Sequence, residues 1–283
     1  LGFVGGLIVL AMAFLFFDLN NTDDIRFMNL LVAIWFLIFS IPAFWFVKDR
    51  KPQKGMHRYF KQSLNSILVS FRNICEYKLI VRFLIARLFY NDALITIFAF
   101  GGIYAAGTFG FTMQEIMIFA IVLNITAGIG AFLMGFLDDI IGGKMTIQIS
   151  NVGLIIACSI AVFSPNGDII SISLPFIGSV MVTGKIMFWI AGVLIGIFSG
   201  PNQASSRSLM ARLVPKDKVN EFFGFFAFSG KATSFLGPFL LGYFTQLFGS
   251  QRYGIGVVLI FLLIGSLILQ KVDEEAGIII GDK

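Results

Sequence analysis

The chain has 283 residues, of which 57% are hydrophobic and only 13% are charged, and its mean hydropathy is +0.89. Soluble domains carry about 25% charged residues. This composition therefore excludes an ordinary soluble domain and predicts an integral, multi-pass membrane protein. The net charge of +5 does not indicate nucleic-acid binding, because the basic residues cluster between apolar runs.

Long apolar runs recur along the whole chain. A helix needs roughly 20 mainly apolar residues to cross the hydrocarbon core of a bilayer. About eight runs fit this description: 1–17, 27–47, 79–104, 113–137, 145–163, 187–209, 221–248 and 253–270. The first run opens at Leu1 without a charged flank, and we expect it to be the end of a helix that begins earlier.

The basic residues set the expected orientation. One group lies between the second and third runs and another surrounds the turn after the sixth: Lys48, Arg50, Lys51, Lys54, Arg58, Lys61, Arg72 and Lys78, then Arg207, Arg212, Lys216 and Lys218. The positive-inside rule places both groups on the cytoplasmic side. If the eight runs cross the lipid bilayer in alternating directions, both basic groups lie on the same side.

Two polar segments interrupt the runs. Within 48–78, apolar residues recur at helical spacing (Phe60, Leu64, Ile67, Phe71 and Ile74), which predicts an amphipathic helix on the cytoplasmic surface. We interpret it as a linker between two bundles in preference to a regulatory site. Residues 164–185 begin with a turn signal and then alternate Ile with Ser, which predicts an external loop with a short hairpin.

Helix starts are also marked. Thr112 and Glu115 have the spacing of a capping box, and Asn220 precedes Glu221 where the seventh run begins. Glu115 and Glu221 are therefore interpreted first as capping residues.

Residues for metal or catalytic chemistry are sparse. Cys75 and Cys158 have no metal-ligand spacing, and His57 is the only histidine. We find no paired Cys/His or Ser/His arrangement and no metal-spaced carboxylates. The sequence predicts no metal, no cofactor and no enzyme activity.

The turn between the fourth and fifth runs reads Gly135-Phe-Leu-Asp-Asp-Ile-Ile-Gly-Gly-Lys144. It resembles the cytoplasmic-loop signature of the major facilitator superfamily, G-x-L-a-D-R-x-G-R-K. Gly135, Leu137, Asp139, Gly142 and Lys144 match, whereas Ile140 and Gly143 replace basic positions. Gly135, Asp139, Gly142 and Lys144 are thus candidate gating residues.

Longer stretches resemble the vacuole-effluxer-like branch of that superfamily. These are LGFVGG at the start, LIVRFLIARLFYNDA at 79–93 and QASSRSLMARLVPKDKVNEFFGFFAFSGKATSFLGP at 203–238. The resemblance implies an all-α major facilitator fold, of which this chain supplies the end of helix 5 through helix 12. Residues 1–47 would close the N-terminal bundle, 48–78 would be the linker, and 79–283 would form the C-terminal bundle and tail.

Charged residues inside the apolar runs are the main candidates for a substrate or ion pathway. Asp92 lies about 13 residues and Lys231 about 10 residues from the cytoplasmic ends of their runs, at depths of roughly 20 and 15 Å. The resemblance places both on helices that line the central cavity. We expect them to meet, either as a structural ion pair or as a transport site in which Asp92 carries a coupling proton. Arg87 shares a helix face with Asn91 and joins these candidates.

Helices 11 and 10 supply further candidates. Gly224, Ala227, Lys231, Ser234 and Pro238 form a small and polar stripe along predicted helix 11, on which Ser234 joins Lys231 as a pathway candidate. Gly237 and Pro238 allow this helix to bend and are further gating candidates. On helix 10, Asn202 and Gln203 are candidates for substrate hydrogen bonds, with inter-helix hydrogen bonding as the equal alternative.

These residues favour a secondary active transporter of small organic solutes, by alternating access. The resemblance suggests amino-acid efflux; a sugar, drug or peptide carrier is the alternative, and a non-transporting sensor or interaction protein is less favoured. No G-x-x-x-x-G-K-[ST] motif is present, so an ion or substrate gradient would supply the energy. We expect a monomer in a bacterial plasma membrane, or in a vacuolar membrane if the source is eukaryotic.

Overall fold

The computed structural model describes residues 2–18, 21–46, 77–165, 169–174, 178–216 and 218–274. The predicted linker helix, His57 and Cys75 lie outside these residues. The chain forms two compact units, Leu1–Tyr77 and Lys78–Lys283, and each is described by itself.

The part of the first unit that the structure describes contains two helices, α1 (Gly2–Phe16) and α2 (Thr22–Phe46). Asp24 accepts a hydrogen bond from the backbone N–H of Asp18 at 2.8 Å, which closes the turn between them. Large apolar side chains along α2, such as Phe36, Phe44 and Trp45, are exposed. Such a surface suits hydrocarbon, not water.

The second unit contains seven helices among its described residues. They are α3 (Lys78–Phe109), α4 (Met113–Ile141), α5 (Gly143–Phe163), α6 (Gly184–Leu213), α7 (Val219–Ser229), α8 (Leu236–Phe248) and α9 (Gln251–Gln270). Between α5 and α6, β1 (Ile169–Leu174) and β2 (Gly178–Thr183) pair antiparallel, with Ile169 opposite Thr183 and Leu174 opposite Gly178. This confirms the hairpin predicted for that loop.

Six helices in the described part of the chain are long and apolar enough to cross a membrane. They are Arg26–Phe46 within α2, followed by α3, α4, α5, α6 and α9, whereas α1 and α8 are shorter apolar helices. The predicted class, an all-α membrane protein, is confirmed, and the β-hairpin is a small addition in one loop.

The seventh apolar run does not form the continuous helix that we predicted. It divides into α7 and α8, and the residues between them form turns. Pro238 lies in the first turn of α8. It has no N–H to donate to the carbonyl of Ser234, and in a continuous helix its ring would clash with that carbonyl, so the helix is interrupted before α8. The intervening backbone uses short bonds, such as Lys231 N–H to Phe228 O at 2.9 Å and Leu236 N–H to Thr233 O at 2.7 Å.

Glycines allow α4 and α6 to pack closely. Gly192, Gly196 and Gly200 recur every four residues along α6, and Gly130 lies on α4. A Cβ atom at Gly200 would collide with the backbone oxygen of Ala127, and one at Gly130 would collide with that of Ile197. Small residues at this spacing bring two helix backbones into contact.

The helix-start predictions had different outcomes. Thr112 and Glu115 form the predicted capping box at the start of α4, and Glu115 also pairs with Lys185 at 2.5 Å. The prediction at Asn220 is wrong, because α7 begins at Val219 and its N-cap, Lys218, makes no side-chain capping bond.

Candidate functional site

A polar cavity of about 360 Å³ lies between α3, α6 and the end of α7. Its described lining includes three cations, Arg87, Arg207 and Lys231, and no carboxylate. The other lining residues are Tyr90, Asn91, Ile95, Asn202, Gln203, Ser206, Phe226, Ala227 and Gly230. Five of the seven predicted pathway residues therefore come together here: Arg87, Asn91, Lys231, Asn202 and Gln203.

Arg87 and Asn91 contact the C-terminal end of α7. The Arg87 guanidinium donates to Phe226 O at 2.7 Å and to Ser229 Oγ at 3.0 Å, and it lies 3.6 Å from the centroid of the Phe226 ring. Asn91 Nδ2 donates to Gly230 O at 3.0 Å. Both side chains thus donate to backbone carbonyls at the negative end of α7, where Phe226 O also accepts from Gly230 N at 3.3 Å.

Asp92 lies apart from the cavity and is 2% exposed. Its Oδ2 atom accepts a hydrogen bond from Gly237 N at 3.1 Å, and its Oδ1 atom has no partner among the described residues. The predicted meeting with Lys231 is wrong: the ion pairs of the described residues do not include one between them. Lys231 lies in the turn between α7 and α8 and lines the cavity, whereas Asp92 bonds to the backbone of α8.

Gly237 and Pro238 begin α8 close to α3. A Cβ atom at Gly237 would collide with Thr96 Oγ1, so glycine permits this approach. Ser234 donates to the Lys231 carbonyl of its own turn at 3.0 Å and does not line the cavity.

Asn202 and Gln203 differ in their surroundings. Asn202 is fully buried, and its Nδ2 atom donates to Asn151 Oδ1 on α5 at 2.7 Å. Gln203 is half-buried and its amide has no hydrogen-bond partner among the described residues. The neighbouring Ser206 hydroxyl forms a hydrogen bond of 2.8 Å with the Tyr90 hydroxyl.

The loop signature forms a second charged cluster at the junction of α4 and α5. Gly142 has a φ of +86°, a conformation that glycine adopts readily, and its N–H donates to Asp138 O at 3.1 Å. Arg212 Nη2 lies 3.3 Å from the buried Asp138 and 3.7 Å from Asp139, whose side chain is 80% exposed. Gly135 faces open space, and Lys144 lines a separate cavity of about 700 Å³.

Glu274 is a member of this cluster that sequence reasoning missed. It accepts hydrogen bonds from the backbone N–H groups of Gly143 at 3.0 Å and Lys144 at 2.9 Å, and it lies 3.4 Å from Arg212. A carboxylate at these amides stabilises the N-terminus of α5. Its only signal in the sequence was the acidic segment that follows the last apolar run.

Several apolar helices long enough to span a membrane, together with a cationic cavity that has a broken helix at its wall, define a multi-pass membrane protein with a polar site between its helices. The model of the vacuole effluxer Atg22 like family matches residues 1–279, so the chain belongs to that family. The predicted branch of the major facilitator superfamily is confirmed.

Curated relatives come from bacteria and fungi. The chain is 29% identical over 247 residues to the "Uncharacterized MFS-type transporter YxiO" of Bacillus subtilis, covering 87% of this chain and 53% of that protein. It is 25% identical over 271 residues to "Autophagy-related protein 22" of Kluyveromyces lactis, covering 91% of this chain and 53% of the relative. The chain thus spans about half the length of the curated relatives it matches.

Proposed function

We propose that this chain is the C-terminal part of a secondary active transporter for small organic solutes that carry a carboxylate, and that amino-acid efflux is its activity. The observation that carries this proposal is the cavity with three cations and no carboxylate in its described lining. Relatives named as an MFS-type transporter and as Autophagy-related protein 22 support the class. The predicted absence of enzyme activity accords with that class.

Lys231 and Arg207 are the residues that we assign to the substrate carboxylate. Both are exposed to the cavity, and neither has an ion pair or hydrogen-bonded side-chain partner among the described residues. Cations within membrane proteins are costly unless they face a cavity or a counter-ion. A bound carboxylate would supply that counter-ion.

Gln203 is the residue that we assign to the amino group of the substrate. Its amide is accessible and offers a carbonyl oxygen to an ammonium group. Asn202 is a less suitable contact, because it is already bonded to Asn151. A carrier for sugars, drugs or peptides remains the alternative proposal, and a non-transporting sensor is the weaker one.

Flux into proteoliposomes that hold the full-length protein tests the substrate class. The informative set is alanine, ethylamine, which lacks the carboxylate, and propionate, which lacks the amino group. We expect uptake of alanine, weaker uptake of propionate and none of ethylamine. Equal uptake of ethylamine and alanine, or no flux across a broad amino-acid panel, would contradict the proposal.

Substitution of the two cations tests the site itself. Lys231→Gln and Arg207→Gln should each raise the KM for alanine about tenfold, because each removes one charge-assisted hydrogen bond. Lys78→Gln is the matched control, since Lys78 is exposed at the start of α3 and does not line the cavity. An unchanged KM in both variants would contradict binding of the substrate carboxylate at this site.

Energy coupling and location belong to the same proposal. We propose a proton as coupling ion, a monomer as the working unit and a bacterial plasma membrane as the location; a vacuolar membrane is the eukaryotic alternative. Flux with and without an imposed pH gradient tests the coupling. Fluorescence of a tagged full-length protein in its host tests the location.

A further inference from the structure

The break between α7 and α8 leaves two helix ends inside the second unit. The C-terminal end of α7 presents carbonyls, and the N-terminal end of α8 presents N–H groups, which carry partial negative and positive charge respectively. Lys231 lies between these ends, on the wall of the cavity. The position of its ammonium group therefore depends on how the break is held.

One helix, α3, contacts both ends with side chains of the matching sign. Arg87 and Asn91 donate to Phe226 O and Gly230 O at the end of α7, at 2.7 and 3.0 Å. Five residues after Arg87, the Asp92 carboxylate accepts from Gly237 N at the start of α8, at 3.1 Å. A cationic side chain thus meets the negative end of one helix and an anionic side chain meets the positive end of the other.

Asp92 contributes to this arrangement without reaching the cavity. It is buried, it forms no ion pair with the cavity cations, and its hydrogen bond runs to the backbone of α8. Because Gly237 and Thr96 are in close contact, α8 is held against α3 at this point. We therefore expect a change at Asp92 to reach a ligand by moving α8 and the turn that carries Lys231.

We propose that Asp92 is a positioning residue that anchors the start of α8 to α3 and so fixes Lys231 toward the cavity, and that it does not itself bind substrate or carry a coupling proton. This inference rests on the proposed function for the ligand of Lys231. The anchoring itself is a property of the fold and has its own test.

Two substitutions at Asp92 separate anchoring from charge. Asp92→Asn keeps an oxygen that accepts the Gly237 N–H but loses the charge and the titratable proton, whereas Asp92→Leu loses the acceptor. Ser150→Ala is the matched control, because it removes a buried hydroxyl on α5 that donates to the Thr146 carbonyl of its own helix and does not line the cavity.

Alanine transport by the full-length protein is the first measurement. In Asp92→Leu we expect the KM to rise about tenfold with a smaller change in kcat, because Lys231 no longer faces the carboxylate. In Asp92→Asn the KM should stay within about threefold of the original, and transport should still be stimulated by a pH gradient, because asparagine keeps the oxygen that accepts the Gly237 N–H. If Asp92→Asn instead abolishes that stimulation and leaves the KM unchanged, Asp92 is a proton carrier and the inference is wrong.

Thiol labelling at position 231 is the second measurement, and it does not depend on transport. Lys231→Cys, in a background whose other accessible cysteines are replaced, is labelled with a maleimide. The labelling rate should change several-fold in Asp92→Leu and stay the same in Asp92→Asn and Ser150→Ala. Equal rates in all three backgrounds would overturn the anchoring role, whereas a changed rate without any alanine flux would preserve it and count against the proposed substrate.

Discussion

At the scale of single residues, adjacent side chains on α6 have different environments although the sequence gives them the same chemistry. Asn202 is buried and joined to Asn151 on α5, whereas the Gln203 amide faces the cavity without a partner among the described residues. The sequence left substrate binding and inter-helix bonding as equal alternatives for both. The structure favours bonding for Asn202 and leaves substrate contact to Gln203.

The two residues should therefore respond differently to substitution by leucine. Asn202→Leu leaves Asn151 Oδ1 buried without its donor, which costs roughly 1–3 kcal/mol of stability. Gln203→Leu should leave the melting temperature unchanged in detergent and raise the KM for alanine. The double variant Asn151→Leu with Asn202→Leu should recover part of the lost stability, and failure of any recovery would contradict the role of this hydrogen bond.

At the scale of secondary-structure elements, glycines decide how closely helices approach. Where α4 contacts α6, backbone atoms of one helix occupy the space that a side chain of the other helix would need. At Gly200 on α6, the backbone oxygen of Ala127 on α4 occupies this space. A backbone oxygen cannot move aside without distorting its own helix. By contrast, Gly256 in α9 faces open space.

Alanine substitution distinguishes these glycines. Gly200→Ala should disrupt the packing of α4 on α6 and lower stability by at least about 1–3 kcal/mol, as overpacking does. Gly256→Ala should be neutral or stabilise α9 by up to about 1 kcal/mol, because alanine favours helix more than glycine does. Melting temperatures in detergent measure both, and equal losses would contradict the close contact at Gly200.

At the scale of the second unit as a whole, one charged cluster joins the ends of four helices. Arg212 at the end of α6 contacts Asp138 near the end of α4 and Glu274 after α9, and Glu274 binds the start of α5. The sequence signature pointed to Asp139 in this loop. The structure gives the buried contact to Asp138 and leaves Asp139 exposed.

Neutralising these two aspartates in turn tests that assignment. Asp138→Asn should lower stability by about 1–3 kcal/mol, since it weakens a partly buried charge-assisted hydrogen bond to Arg212. Asp139→Asn is the matched control and should leave the melting temperature unchanged, because exposed ion pairs contribute little. A larger loss of stability in Asp139→Asn than in Asp138→Asn would instead support Asp139, the residue that the loop signature indicated.

The sequence by itself determined the membrane class, the order of most helices, the hairpin, the capping box at Thr112 and five of the residues that line the cavity. These features depend on hydropathy, on local turn and cap chemistry, and on a family pattern, all of which act over short stretches of chain. The domain boundaries at 47–48 and 78–79 remain predictions.

Only the tertiary structure decided where the polar groups find partners. Asp92 and Lys231 were expected to pair because their depths agree, but depth along a helix does not fix which face or which neighbour a side chain meets. The Pro238 break turned one predicted helix into two, and its free backbone N–H groups provided a partner for Asp92. Likewise Glu274 reaches amides that lie 131 and 130 residues earlier. Such contacts depend on how helices are arranged in three dimensions, and no local pattern in the sequence specifies them.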